Sequence, residues 1–122
     1  MVLELATLDI KPGHEAEFER DFAVAAKIIQ ASTGYIEHEL QRCVEKRNRY
    51  ILLVRWESLD AHTEGFRKSA PYSEWKRLLH HYYDPFPTVE HYINVGGAVP
   101  NQSTEPTLSS VTPPAGQESR PR

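Results

Sequence analysis

Hydrophobic and polar residues alternate along this chain with two different periods, and the periods predict a mixture of strands and helices. Period-two alternation or a short apolar run, both typical of β-strands, covers residues 2–10, 35–43, 49–56 and 89–95. The first of these strands is apolar on both of its faces, which is typical of a strand covered on two sides. The charged residues 44–48 form the predicted hairpin turn between the second and third strands.

Apolar residues at helical spacing predict three helices between these strands. The first helix runs from His14 to Ala31 and ends at Thr33-Gly34. A short helix follows the third strand, with Ser58 as its N-cap, and ends near Gly65. Another begins at Pro71, because proline at the first helical position sets φ in advance. Its apolar stripe consists of Trp75, Leu78, Leu79 and Tyr82.

The element order β–α–β–β–α(α)–β predicts an α+β fold of the ferredoxin-like, split βαβ type. In such a fold a four-stranded antiparallel sheet carries its helices on one face. The opposite face is also apolar here, and in so small a domain a second copy of the chain is the available cover. We therefore expect a homodimer formed through the sheet faces.

Composition changes sharply after Val95. Residues 96–122 contain no aromatic residue and five of the nine prolines, and they are rich in serine and threonine. Such a segment buries too little apolar surface to offset the entropy of ordering it. We expect a folded domain over residues 1–95 and a flexible tail over 96–122. The alternative for the tail is an arm that docks on a partner subunit.

Charge and cysteine content exclude several functional classes. The net charge is −3 with both signs interspersed, so nucleic-acid binding has no electrostatic support. No apolar run approaches the roughly 18 residues of a membrane span, and residues 1–20 lack the hydrophobic core of a secretory signal. Cys43 is the single cysteine. It has no partner for an internal disulfide, which fits a reducing cytoplasm.

Three segments carry a resemblance to a known family. They are the strand-to-helix run VRWESLDAH from Val54 to His62, the motif SAPY from Ser69 to Tyr72 with Trp75 after it, and the closing VEHY from Val89 to Tyr92. Together they resemble the antibiotic biosynthesis monooxygenase (ABM) family over residues 1–95. The resemblance implies a dimeric α+β barrel. It leaves the chemistry open, because the family includes cofactor-free oxygenases, quinol oxygenases, haem-degrading enzymes and members of no assigned activity.

The residues implied by the cofactor-free oxygenases are only partly present. The tryptophan that ends the third strand in those enzymes matches Trp56. Their asparagine four residues earlier falls on the apolar Leu52, and their tyrosine six residues later falls on His62. One of the three groups is therefore retained, and one is replaced by a residue that can still move protons.

The haem-degrading branch is matched less well, which argues against a haem cofactor. Its middle-helix tryptophan falls near Phe66, and its haem-ligating histidine falls near Trp75 or Lys76, neither of which is such a ligand. Only His80 or His81, about one turn later, could replace it. No metal is assigned either, because adjacent residues on a helix diverge by about 100° and do not chelate one ion easily.

Two histidines are candidate catalytic bases. His62 follows the third strand, and an imidazole with a pKa of about 6.5 suits base work near pH 7; the alternative is an exposed helical histidine. His38 shares a predicted strand face with Ile36 and Leu40, so it is either a pocket base or a hydrogen-bonded core or interface histidine. His91, beside Val89 on the last strand, carries the same two interpretations.

Candidate substrate-binding residues are apolar or aromatic: Trp56, Tyr72, Leu52, Phe66 and Trp75. Trp56 offers a π surface and an N–H donor to a flat aromatic substrate, or it simply packs under the middle helix. Tyr72, near a helix start, is placed at a cleft entrance. No phosphate-binding loop, serine nucleophile elbow or dinucleotide motif occurs, so flavin or nicotinamide binding has no support.

Three functional hypotheses follow. The first is a cofactor-independent monooxygenase acting with O2 on a quinol, anthrone or related polycyclic phenol. The second is a non-catalytic dimeric barrel that binds a hydrophobic metabolite, and Leu52 in place of asparagine favours it. The third is haem binding through His80 or His81.

Overall fold

Four strands form one antiparallel sheet, as the apolar alternation predicts. They are β1 Val2–Asp9, β2 Tyr35–Arg42, β3 Arg49–Trp56 and β4 Val89–Tyr92, in the order β2-β3-β1-β4. The structure is a computed structural model that describes residues 1–97. The predicted tail, apart from Gly96 and Gly97, lies outside the described residues.

Two α-helices and two shorter helical segments pack on a single face of the sheet. They are α1 Glu15–Gln30, a π-helical segment Ala61–Phe66, α2 Pro71–Leu79 and a 3₁₀ turn His80–Tyr82. The predicted ferredoxin-like α+β fold is therefore confirmed. In residues 1–97 no helix has the length and apolar content needed to cross a membrane.

The strand register separates the two faces of the sheet. In β1, Ala6 and Leu8 face the helices and are buried. They lie directly opposite Leu52 and Tyr50 of β3, which are buried on the same face. Residues of the opposite, uncovered face are partly exposed, and the apolar ones are Leu3, Leu5, Ile51, Leu53 and Tyr92.

The short helix after β3 differs from the prediction in its geometry. Ser58 does cap it, since its Oγ accepts the Ala61 N–H at 3.2 Å. The segment is a π-helix rather than an α-helix, and its wider turn is closed by the Arg67 N–H donating to the His62 carbonyl at 2.9 Å. A single π-turn of this kind re-aims side chains and is frequent at functional sites. Here it turns His62 and Phe66 inward, where both are buried.

Two predicted strand details are wrong. The last strand ends at Tyr92 rather than Val95, because Tyr92 already pairs with Leu3 near the start of β1 and little strand remains to pair with later residues. Val95 is accordingly 95% exposed. In β2 a register shift between Tyr35 and Glu37 places Ile36 in a bulge, so Ile36 is exposed and does not share the helix-side face with His38.

Candidate functional site

A cavity of about 270 Å³ lies between the helix-side face of the sheet and the helical segments that cover it. The strands contribute Glu4, Ala6, Leu8, Leu52 and Val89 to its walls, and the helical segments with the following loop contribute His62, Phe66, Arg67, Tyr72, Trp75, His80, Tyr83, Phe86 and Pro87. Most of these residues are aromatic or aliphatic, and the ionisable acid and bases among them are Glu4, His62, Arg67 and His80. This composition is typical of a site for a small organic molecule.

Glu4 is the carboxyl group of this cavity. It stands on β1 in line with the buried Ala6 and Leu8, and only 5% of it is exposed. Burial raises its pKa from the ordinary 4.5 to about 7, although a hydrogen bond from Trp56 and the charge of Arg67 oppose this rise. At neutral pH the protonated and ionised forms of Glu4 are therefore both populated, which is the condition for a general acid or base.

One oxygen of Glu4 accepts a hydrogen bond from Trp56 and also has His62 beside it. The Trp56 Nε1–H donates to Glu4 Oε1 at 2.9 Å, and His62 Nε2 lies 3.4 Å from that atom. The Trp56 and His62 rings are stacked, with centroids 5.2 Å apart and an interplanar angle of 19°. Among residues 1–97 no side chain hydrogen-bonds Oε2 of Glu4, and Glu4 is one of the residues that line the cavity.

His62 is buried, and its environment disfavours its charged form. Burial lowers its pKa to about 3, with smaller contributions from the charges of Arg67 and His91. Its Nδ1 lies 2.8 Å from His91 Nε2, and His91 is also the direct cross-strand neighbour of Glu4. The hydrogen bond between His62 Nδ1 and His91 Nε2 therefore orients the neutral ring, with Nε2 lying beside Glu4 Oε1.

The structure brings together most of the predicted site residues. Leu52, Phe66, Tyr72 and Trp75 all line the cavity, and so does His62. Phe66 meets Tyr72 and Trp75 edge to face, with ring centroids 5.2 and 5.5 Å away. These contacts make a continuous aromatic wall.

Two predicted site residues are placed elsewhere. Trp56 is fully buried and does not line the cavity, so its position disfavours direct stacking on a substrate. It contacts the cavity-lining residues Glu4, His62 and Phe66. His38 also lies outside the cavity. The Tyr35 hydroxyl and His38 Nδ1 are 2.7 Å apart, and the His38 ring packs against Phe22. These contacts match the hydrogen-bonded core interpretation of His38.

Glu4, His91 and Arg67 were not singled out together from the sequence as a site. Glu4 carried one signal, since it is the acidic residue in a strand whose same-face neighbours are Ala6 and Leu8. No sequence signal marked Arg67 as a site residue, because its position depends on the π-helical geometry of the segment before it. Within residues 1–97 no three His, Cys, Asp or Glu side chains are arranged to hold a metal ion.

The chain matches one protein family and a full-length relative. Residues 1–78 match the family model "Antibiotic biosynthesis monooxygenase". The uncharacterized protein YczJ of Bacillus subtilis is 57% identical over 95 residues, which are 78% of this chain and all of that protein.

Two enzymes resemble the chain less closely, one in sequence and one in fold. The mycobilin-producing haem oxygenase of Mycobacterium tuberculosis is 30% identical over 60 residues, which are 49% of this chain and 57% of that enzyme. SnoaB of Streptomyces nogalater, a cofactor-independent oxygenase, superimposes with a TM-score of 0.65 at 24% identity, covering 81% of this chain and 96% of SnoaB. This last similarity shows a shared fold.

Proposed function

Since the chain belongs to the antibiotic biosynthesis monooxygenase family, we propose that it is a cofactor-independent monooxygenase in which Glu4 deprotonates a small quinol, anthrone or other phenolic ring system for reaction with O2. The cofactor-independent chemistry of the structurally similar SnoaB supports this choice. The observation that carries the proposal is the buried carboxyl of Glu4, with a pKa of about 7, in the wall of an aromatic cavity.

Glu4 is a better base here than either histidine. Its ionised form is populated at pH 7, Glu4 lines the cavity, and its Oε2 makes no hydrogen bond within residues 1–97. His62 lies beside it, but its pKa of about 3 means that the neutral ring has a low affinity for a proton and is a weak base. We assign His62 and Trp56 to orienting Glu4 Oε1, and we give His38 no role in the reaction.

The proposed reaction balances without a cofactor. Glu4 Oε2 takes a proton from the ring CH2 of an anthrone, and the resulting carbanion transfers one electron to O2. The radical pair combines to a peroxide, which receives the proton back from Glu4. Loss of the second ring proton and cleavage of the O–O bond leave a C=O group and water.

The size of the cavity limits the range of substrates that could fit in it. Pockets for drug-sized ligands usually enclose about 300–1,000 Å³, and this one encloses about 270 Å³. We therefore favour ring systems of one to three rings over larger polycyclic phenols.

Oxygen consumption with dithranol and with menadiol tests the proposal. Wild-type protein should consume O2 faster than the autoxidation blank, and Glu4→Gln should reduce the enzymatic rate by at least about 100-fold, within the usual contribution of a general base. His38→Ala, outside the cavity, is the matched control and should retain the rate. Because ionised Glu4 is the active form, kcat/KM should rise with pH through about 7. An unchanged rate in Glu4→Gln would remove Glu4 from the mechanism.

Binding without turnover is the second candidate function, and Leu52 favours it. Its aliphatic side chain lines the cavity where the oxygenases have a polar asparagine. In this case native mass spectrometry would find a retained apolar ligand that is recovered unchanged after aerobic incubation. Haem binding through His80 is less favoured, although His80 lines the cavity, because 270 Å³ is small for so large a ligand.

We also propose that two copies pair through their uncovered sheet faces. Leu3, Leu5 and Leu53 of this face are only partly buried in a single chain, and a second copy would remove them from water. Light scattering should give the mass of two chains, and Leu53→Glu should give the mass of one. A wild-type monomer at micromolar concentration would refute the pairing.

A further inference from the structure

Arg67 is the cationic side chain of the cavity. It is the first residue after the π-helical segment, and its backbone N–H is held by the His62 carbonyl at 2.9 Å. Among the cavity-lining residues in the described part of the chain it is the only lysine or arginine. Its position on the wall is therefore set by the same π-turn that buries His62.

The guanidinium of Arg67 is not committed to another protein group. Other arginines are paired with carboxylates, as Arg49 is with Asp9 at 2.8 Å and Arg55 is with Glu37 at 3.0 Å. Within residues 1–97 the Arg67 guanidinium makes no hydrogen bond or ion pair. It thus keeps five N–H donors in a planar fork, which matches the geometry of a carboxylate.

Arg67 is an exposed residue, and its positive charge acts on several ionisable groups around the cavity. It lowers the pKa of Glu4, of His62 and of His91, although burial is the larger influence on each of the three groups. It also lowers the pKa of Tyr72 against the rise that burial causes. A negative charge placed in the cavity would therefore be stabilised by this one cation.

We propose that Arg67 binds the carboxylate of an aromatic hydroxy acid, so that the substrate class of this site is a hydroxylated aryl carboxylate rather than a neutral phenol. This rests on the proposed function for the role of the ring hydroxyl, which would face Glu4. The aromatic wall of Phe66, Tyr72 and Trp75 contacts the ring. A single cation compensates a single negative charge, so a monoanionic carboxylate fits better than a phosphate dianion beside Glu4.

Calorimetric titration of matched ligands tests the inference without any turnover. The pair 1-hydroxy-2-naphthoate and 1-naphthol differs in the carboxylate, and 1-naphthyl phosphate, about half of which is dianion at pH 6, supplies the phosphate. At pH 6, where Glu4 is mostly protonated, the wild type should bind the carboxylate most tightly. Arg67→Gln should weaken binding of the carboxylate by about 10-fold to 100-fold, the usual loss of a charge-assisted contact. Binding of 1-naphthol should change by less than about twofold.

Two further variants make the outcome specific. Arg67→Lys should recover part of the affinity, since it keeps the charge and loses the bidentate geometry. Arg77→Gln removes an exposed arginine that is paired with Glu74 outside the cavity, and it should change nothing. Equal binding of the three ligands by the wild type, equal losses for the carboxylate and 1-naphthol in Arg67→Gln, or a preference for the phosphate would overturn the inference. These readouts are independent of O2 consumption, so failure of the oxygenase proposal would be seen separately.

Discussion

Removing the charge of Glu4 should make the folded protein more stable at alkaline pH. The pKa of Glu4 rises from 4.5 to about 7 on folding, so between these values the native state holds a proton that the unfolded chain has released. The contribution of Glu4 to the unfolding free energy is fully present below pH 4.5 and is lost as the pH rises towards 7. At about 1.36 kcal/mol for each pKa unit, the loss above pH 7 is about 3 kcal/mol.

Glu4→Gln isolates this effect, because the amide keeps an oxygen for the Trp56 N–H and does not ionise. His62 has the opposite dependence, since its pKa falls from 6.5 to about 3 and stability is lost as the pH drops through that range. The two effects partly cancel in the wild type. The difference in unfolding free energy between variant and wild type removes the part of the His62 contribution that does not depend on its neighbour Glu4.

Urea unfolding at pH 4.5, 6, 7 and 8 is the appropriate assay. The unfolding free energy of the variant minus that of the wild type should grow by about 3 kcal/mol from the lowest to the highest pH. A difference for Glu4→Gln that does not vary with pH would refute the reasoning, because the carboxyl would then ionise with its ordinary pKa.

Two further perturbations test the surroundings of the site. Trp56→Phe removes the N–H that stabilises ionised Glu4, so the pKa of Glu4 should rise above its wild-type value. Carbon-13 NMR of the labelled carboxyl measures this pKa. An unchanged or lower pKa would contradict the assigned hydrogen bond. Gly34→Ala should lower the unfolding free energy by more than about 1 kcal/mol, because φ is 86° and the new Cβ would lie 2.5 Å from Ala61 Cβ. Gly13→Ala has a similar φ of 92° but open space, so thermal unfolding should show a smaller loss, and equal losses would mean that the Ala61 contact is unimportant.

The strands and helices could be predicted from periodicity because each has one face in a continuous core. β3 alternates buried and partly exposed residues without a break, and α1 buries Phe18, Phe22 and Ile29 at helical spacing. Where pairing rather than periodicity decides, the prediction was wrong. The bulge at Ile36 and the end of β4 at Tyr92 depend on the neighbouring strands.

The sequence by itself determined the family, the element order and most of the aromatic wall, since local patterns and the motif around Trp56 carry that information. Only the tertiary structure decided the chemistry of the cavity. Strand pairing sets Glu4 opposite His91, and a π-turn brings His62 to both. Burial then moves the pKa values of Glu4 and His62 in opposite directions. A side chain's proton affinity depends on neighbours distant in sequence, and no local pattern records them.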